Sequence, residues 1–252
     1  KKVVWSDRWQ EKWDNLSIIK MNLSDGLLKA LDTTSKVERA VETTNPEAYE
    51  FYLKAKHKYT KRENTDDTEI VRGLLKKAIE LDDNLIAANI LLSNTYSSTG
   101  NYDKAKEIYL DAFKRAENIQ DRRSEASCLR GIGGIYTLKG NYDKALEYVF
   151  RSIQMREEIN DKSGIGDSLA NIGIIYSEKG DDDRALDYHN RSLEIRKNIE
   201  DELGIAHSLS AIGIVYSNQG NLEKSKDYCI RALKIREKIG NKSSVGYSYS
   251  NL

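Results

Sequence analysis

Apolar residues recur along most of this chain at steps of three, four and seven. Between Leu169 and Tyr176 they are Leu169, Ile172, Ile175 and Tyr176, and after Gly180 come Ala185, Leu186, Leu193 and Ile195. These steps match the 3.6-residue period of a helix and not the two-residue alternation of a strand. The stretch is therefore predicted to form two helices, separated at Glu178-Lys179-Gly180-Asp181-Asp182. Gly180 suits the left-handed conformation that ends a helix, and the aspartates suit the start of the next by capping and by charge. The run Asp181, Asp182, Asp183 is read as that helix start. A calcium loop would need its own ligand spacing and a closing glutamate, which this segment lacks.

The same pattern returns every forty residues. Gly100-Asn-Tyr-Asp-Lys-Ala105, Gly140-Asn-Tyr-Asp-Lys-Ala145, Gly180-Asp-Asp-Asp-Arg-Ala185 and Gly220-Asn-Leu-Glu-Lys-Ser225 align in register. Tyr96, Tyr136, Tyr176 and Tyr216 lie four residues before each glycine, Gly133, Gly173 and Gly213 seven before it, and Ile119, Ile159, Ile199 and Ile239 nineteen after it. A period of this size belongs to a solenoid of stacked units, not to one globular core. A glycine inside a helix costs about 1 kcal/mol relative to alanine, so Gly133, Gly173 and Gly213 point to close backbone approach between the two helices of a unit. Their expected partners are Ala145, Ala185 and Ser225.

Leu169, Gly173, Tyr176, Gly180 and Ala185, with Ser192 replacing a second alanine, resemble the signature of the tetratricopeptide repeat (TPR). The resemblance covers at least residues 84–252. It implies an all-α fold, a right-handed superhelical solenoid of antiparallel helix pairs. Two features depart from the common pattern: the period is forty and not thirty-four, and the proline that usually follows the second helix is missing. The forty-residue unit, with its segment Arg196 to Ala206, is similar to the repeats of kinesin light chain and related adaptors, in which peptides bind along the concave face.

The N-terminal part differs. Trp5, Trp9 and Trp13 precede an amphipathic run through Leu16, Ile19, Leu23, Leu27 and Leu31, which reads as one helix capping the open end of the solenoid. A loop rich in threonine and serine leads to Pro46, well placed at the first turn of a helix. Val4 to Trp9, the helix after it and Asn45 to Leu53 resemble the junction between a TolB-like region and TPRs in bacterial class III adenylate cyclases and related regulators. That resemblance implies that the chain is an excised piece of a longer signalling protein whose output domain lies upstream. The expected organisation is a capping segment at 1–45, a degenerate first TPR at 46–83, with helices at about 46–61 and 68–81, TPRs at 84–121, 122–161, 162–201 and 202–241, and the start of a further TPR at 242–252.

Composition excludes several classes of function. Charged residues make up 32% of the chain against a single proline, which suits long exposed helices. Forty basic and forty acidic residues cancel, so no global charge attracts nucleic acid or anionic lipid. No apolar run approaches the roughly 20 residues that span a bilayer. Cys128 and Cys229 lie on different repeats, in columns filled elsewhere by Ser168 and Ser208 or by Val149 and His189; they are read as buried, reduced and incidental, which favours a reducing, cytoplasmic compartment. His57, His189 and His207 have no second histidine at metal-site spacing. Gly131-Ile-Gly133-Gly134 lacks the strand and lysine of a phosphate loop. No cofactor, metal or enzymatic activity is expected of these residues.

The expectation is a binding scaffold. By analogy with the TPR family, the concave face is lined by first-helix positions not used for packing: Asn94 and Ser97; Ser127, Arg130, Gly134 and Thr137; Asp167, Asn171, Ile174 and Ser177; His207, Ser210, Ile214, Ser217 and Asn218. Asparagine can hold a peptide backbone through both donor and acceptor. Peptide-binding TPRs use asparagines in the column of Asn171, although Gly131 and Ala211 interrupt that ladder here. Arg130 is the main cation, and the face lacks a lysine-rich clamp for a carboxylate-terminated tail. The expected partner is a protein or peptide, with control of an upstream domain and self-association through an open C-terminal repeat as the other readings.

Overall fold

The computed structural model describes residues 45–62 and 65–240. The capping helix, the tryptophans, the cyclase-junction resemblance before Asn45 and the incomplete repeat after Gly240 lie outside the described residues. Within them every regular element is a helix: α1 (Pro46–Thr60), α2 (Thr65–Leu81), α3 (Ile86–Ser98), α4 (Tyr102–Asn118), α5 (Arg122–Leu138), α6 (Tyr142–Glu158), α7 (Lys162–Glu178), α8 (Asp182–Asn198), α9 (Glu202–Asn218) and α10 (Leu222–Lys238). The chain divides into two compact units, with the boundary after Thr95, inside α3.

In the first unit α1 packs on α2. Asn45 caps α1: its side-chain oxygen accepts from the amides of Glu47 and Ala48, and its amide nitrogen donates to the Leu81 carbonyl at 3.0 Å. Pro46 follows at the first turn, where its missing N–H has no cost. The interior is small and aliphatic, with Ala48, Ala55, Val71, Leu75 and Ala78 fully buried. Arg72 crosses to the end of α3, where its guanidinium donates to the Thr95 hydroxyl at 3.1 Å and carbonyl at 2.8 Å.

The second unit is a run of helix pairs, α5 with α6, α7 with α8 and α9 with α10, each also packed on the next. Two kinds of turn generate it. After each first helix a glycine takes positive φ, as at Gly140 (72°), Gly180 (75°) and Gly220 (74°), and the next amide donates back to a tyrosine carbonyl, Asp181 to Tyr176 at 2.9 Å. The residue after the glycine then caps the second helix, so Asp181 accepts from the Arg184 amide at 3.1 Å, as Asn141 and Asn221 do for Lys144 and Lys224. After the second helices α4, α6 and α8 the left-handed position is held by Gln120, Asn160 and Glu200, and after α10 by Gly240. Asp121, Asp161 and Asp201 follow the first three and cap α5, α7 and α9.

The mid-helix glycines do mark close approach, but to different atoms than expected. A Cβ at Gly133 would lie 2.6 Å from Val149 Cγ2, one at Gly173 2.6 Å from the His189 ring, and one at Gly213 3.0 Å from Cys229 Sγ. Ala145 and Ser225 contribute only their carbonyls, at 3.1 and 3.2 Å. Side chains on a helix tilt toward its N-terminus, so the residue one turn further on covers the alanine position. Gly133→Ala should therefore lose about 1–2 kcal/mol in urea unfolding: overpacking costs about 1–3 kcal/mol and helix propensity returns at most about 1 kcal/mol. Adding Val149→Ala, which clears the space, should reduce the cost of the Gly133 change itself. Stacked tyrosines fix the other side of each pair, with ring centroids 5.4 Å apart for Tyr136 and Tyr148 and 5.5 Å for Tyr176 with Tyr188 and Tyr216 with Tyr228.

Candidate partner-binding face

Within the second unit, α5 touches α7 and α7 touches α9, whereas the second helices of neighbouring repeats meet less closely. The first helices therefore sit on the inside of the local curve. Along α7 the positions Leu169, Ile172, Gly173, Ile175 and Tyr176 turn into the core. The intervening helical steps place Asp167, Asn171, Ile174 and Ser177 on the other side. On this first-helix face Ile174 is 48% exposed and Ile214, forty residues on, 39%. Gly134 fills the equivalent place on α5 and has open space above it. His207, Ser217 and Asn218 are exposed, Ser127, Arg130, Thr137, Asp167, Asn171 and Ser177 half-buried, and Ser210 buried. Ser97 is half-buried at the end of α3, and so is Asn94, which belongs to the first unit.

Three of the expected lining residues are committed to bonds inside the protein. The Ser127 hydroxyl donates to the Arg123 carbonyl at 2.9 Å and accepts from Arg156 Nη2 at 2.9 Å. Asp167 accepts from Arg196 Nη2 at 2.7 Å, and the Thr137 hydroxyl donates to the Gly133 carbonyl at 3.0 Å. For Ser127 and Asp167 the cause is a column of buried arginines, Arg156, Arg196 and Arg236, on α6, α8 and α10. Arg156 also pairs with buried Asp161. Arg196 reaches the next repeat, donating to the Gly204 carbonyl and the Ser208 hydroxyl, both at 2.9 Å. Arg236 Nη2 donates to the Ala206 carbonyl at 3.4 Å. Ser192, the alanine replacement noted in the sequence, joins this system by donating to the Gly166 carbonyl at 2.8 Å; Ser152 does the same to Ala126 at 2.7 Å. The forty-residue recurrence of these arginines is the signal by which sequence reasoning could have found them.

The arginines leave the face with a charge imbalance. Arg123 lies 3.8 Å from Asp161, which also pairs with Arg156, and Arg196 neutralises Asp167. Arg130 has no ion pair among the described residues, and its Nε is buried without a hydrogen-bond acceptor. Burial holds the Arg156 guanidinium below its ordinary range; Asp161 opposes that shift and Arg130 adds to it. Arg130 is thus a cation of this face without an ion-pair partner among the described residues. Partial desolvation where its ring meets the helix, together with Arg236 and Arg196, lowers the pKa of the solvent-facing His207.

Among the described residues no three His, Cys, Asp or Glu side chains are placed to hold a metal, and none of the helices is long and apolar enough to cross a membrane. Both cysteines are free and buried. Burial pushes the Cys128 thiol up to about 12, which removes it as a thiolate nucleophile.

Comparison with known structures gives the fold. The chain is similar to a Rap protein complexed with competence and sporulation factor, at 15% identity and a TM-score of 0.66, covering 86% of this chain and 59% of that one. It is similar to a Signal Transduction ATPase with Numerous Domains (STAND) protein from Pyrococcus horikoshii with a tetratricopeptide repeat sensor, at 18% identity and 0.63, covering 94% and 36%. Crystallised kinesin light chain TPR-like repeats from Podosopora anserina align at 12% identity and 0.54, covering 77% and 96%. The chain thus spans less than two thirds of the Rap and STAND chains. No curated protein matches it. Family models described as tetratricopeptide repeat match residues 83–158, 125–198 and 205–239. They fall on the helix pairs set out by the glycine turns and the aspartate caps, and the chain belongs to the tetratricopeptide repeat family.

Proposed function

We propose that this TPR array is an interaction scaffold that holds a peptide or partner helix on the face of α5, α7 and α9, as the sensor or regulatory part of a larger bacterial signalling protein. The observation that carries this reading is the exposure of Ile174 and Ile214 on a face whose helices turn Ile132, Ile135, Ile172, Ile175 and Ile212 into the core. Exposed apolar residues rimmed by polar ones mark contact surfaces, and Asn171, Asn218, Ser177 and Ser217 supply the rim. The Rap and STAND neighbours support a signalling role through the factor bound in one and the sensor repeats of the other. A cytoplasmic setting suits two free buried thiols.

The test is affinity capture from a bacterial lysate with the protein and with an Arg130→Ala, Asn171→Ala, Asn218→Ala variant whose helicity is unchanged. A protein retained by the first and lost by the second is expected. Identical captures would show that these positions hold no partner.

A further inference from the structure

The second-helix side of the same unit carries a cleft of about 590 Å³ between α6 and α8, also lined by Ile165 and Leu169 from the first half of α7. Its walls are Ile153 and Ile195, and Phe150 stands at its edge, 45% exposed. The repeat fold does not require that phenylalanine, because the equivalent position on α8 is Asn190, also exposed. The volume lies within the roughly 300–1,000 Å³ of ligand-binding pockets. Two carboxylates flank the cleft from opposite walls, Glu157 on α6 and Glu194 on α8. Neither has an ion pair among the described residues, whereas the one cation beside them, Arg191, pairs with Asp187 at 3.7 Å and lies over the Tyr188 ring. Among the lining residues the two carboxylates outnumber the one guanidinium, so the rim carries net negative charge.

We propose that this cleft is a second docking site, for an amphipathic helix that inserts one large apolar side chain and sets a lysine or arginine one turn away against Glu157 and Glu194. Successive second helices run in the same direction and leave a furrow between them, which takes the ridge of a third helix. The site lies across the repeat from Arg130 and Asn171, so a partner there would leave the first-helix face free.

The probe is a fluorescein-labelled helical peptide with one tryptophan and a lysine one turn before and after it, compared by anisotropy with its glutamate counterpart. The lysine peptide should bind about tenfold more tightly, the effect of one well-placed charge pair. Phe150→Asn, which copies the residue of the next repeat and so keeps the fold, should weaken it about fivefold or more. Glu157→Lys with Glu194→Lys should reverse the preference, and Arg130→Ala should change nothing. Equal affinity for the two peptides, absence of saturable binding, indifference to Phe150→Asn, or loss with Arg130→Ala would each overturn the proposal.

Discussion

Arg156→Ala is expected to lower the stability of the protein by about 3 kcal/mol, because breaking one partner out of a buried ion pair leaves the other charge uncompensated. Arg156 and Asp161 are both buried, with side chains only 5% and 6% accessible. Asp161 cannot escape to water, since it also caps α7 by accepting from the Gly164 amide at 3.1 Å. Its remaining cation would be Arg123 at 3.8 Å. Ser127 would lose its guanidinium donor as well. Asp161→Asn keeps the cap, as Asn141 and Asn221 do for other helices, and removes the charge. The double variant Arg156→Ala, Asp161→Asn should therefore recover much of the loss. Urea unfolding of the four proteins in a double-mutant cycle measures this directly. Additive effects would mean that the pair contributes nothing beyond two separate side chains.

Acidification should destabilise the protein through His189. This imidazole is 2% exposed beneath Gly173, its Nδ1 has no hydrogen-bond partner, and burial with the nearby Arg196 charge lowers its pKa from 6.5 to about 4. Between these values the unfolded chain binds a proton that the folded chain refuses, so stability rises with pH across that window. The contribution is fully present above about 6.5 and is lost as pH falls toward 4. Each tenfold difference in proton affinity between the two states corresponds to about 1.4 kcal/mol, which puts the loss at about 3 kcal/mol. His189→Val, with the residue that Val149 supplies in the same column, should be at least as stable at pH 7 and should lack this component at pH 4. Wild-type and variant curves of unfolding free energy that stay parallel from pH 7 to 4 would exclude the effect.

The helical period and the turns at Gly140, Gly180 and Gly220 are legible in the sequence, because glycine marks a left-handed residue and the next aspartate or asparagine marks a cap. In the second set of turns only Gly240 is marked in that way. Gln120, Asn160 and Glu200 adopt positive φ without being glycine, at a cost of about 1–2 kcal/mol each relative to right-handed backbone, and only the repeat register locates them. The arginine column escapes sequence reading because arginine is ordinarily a surface residue. With it goes the correct placing of Ser127 and Asp167, which by sequence are available for a ligand but in the fold meet Arg156 and Arg196. Periodicity separates the two faces of a helix, but it cannot tell a polar residue that meets solvent from one that meets a buried charge on the neighbouring helix. Ile174 and Ile214 are legible for the opposite reason: they are apolar at positions the packing pattern does not use.

A partner held on the first-helix face should be trapped by photo-crosslinking in whole bacterial lysate from benzoylphenylalanine placed at Ile174, with the same group at Lys234 on α10 as the control. One protein crosslinked from position 174 and absent from position 234 is the expected result. The same products from both positions, or none from position 174, would contradict it.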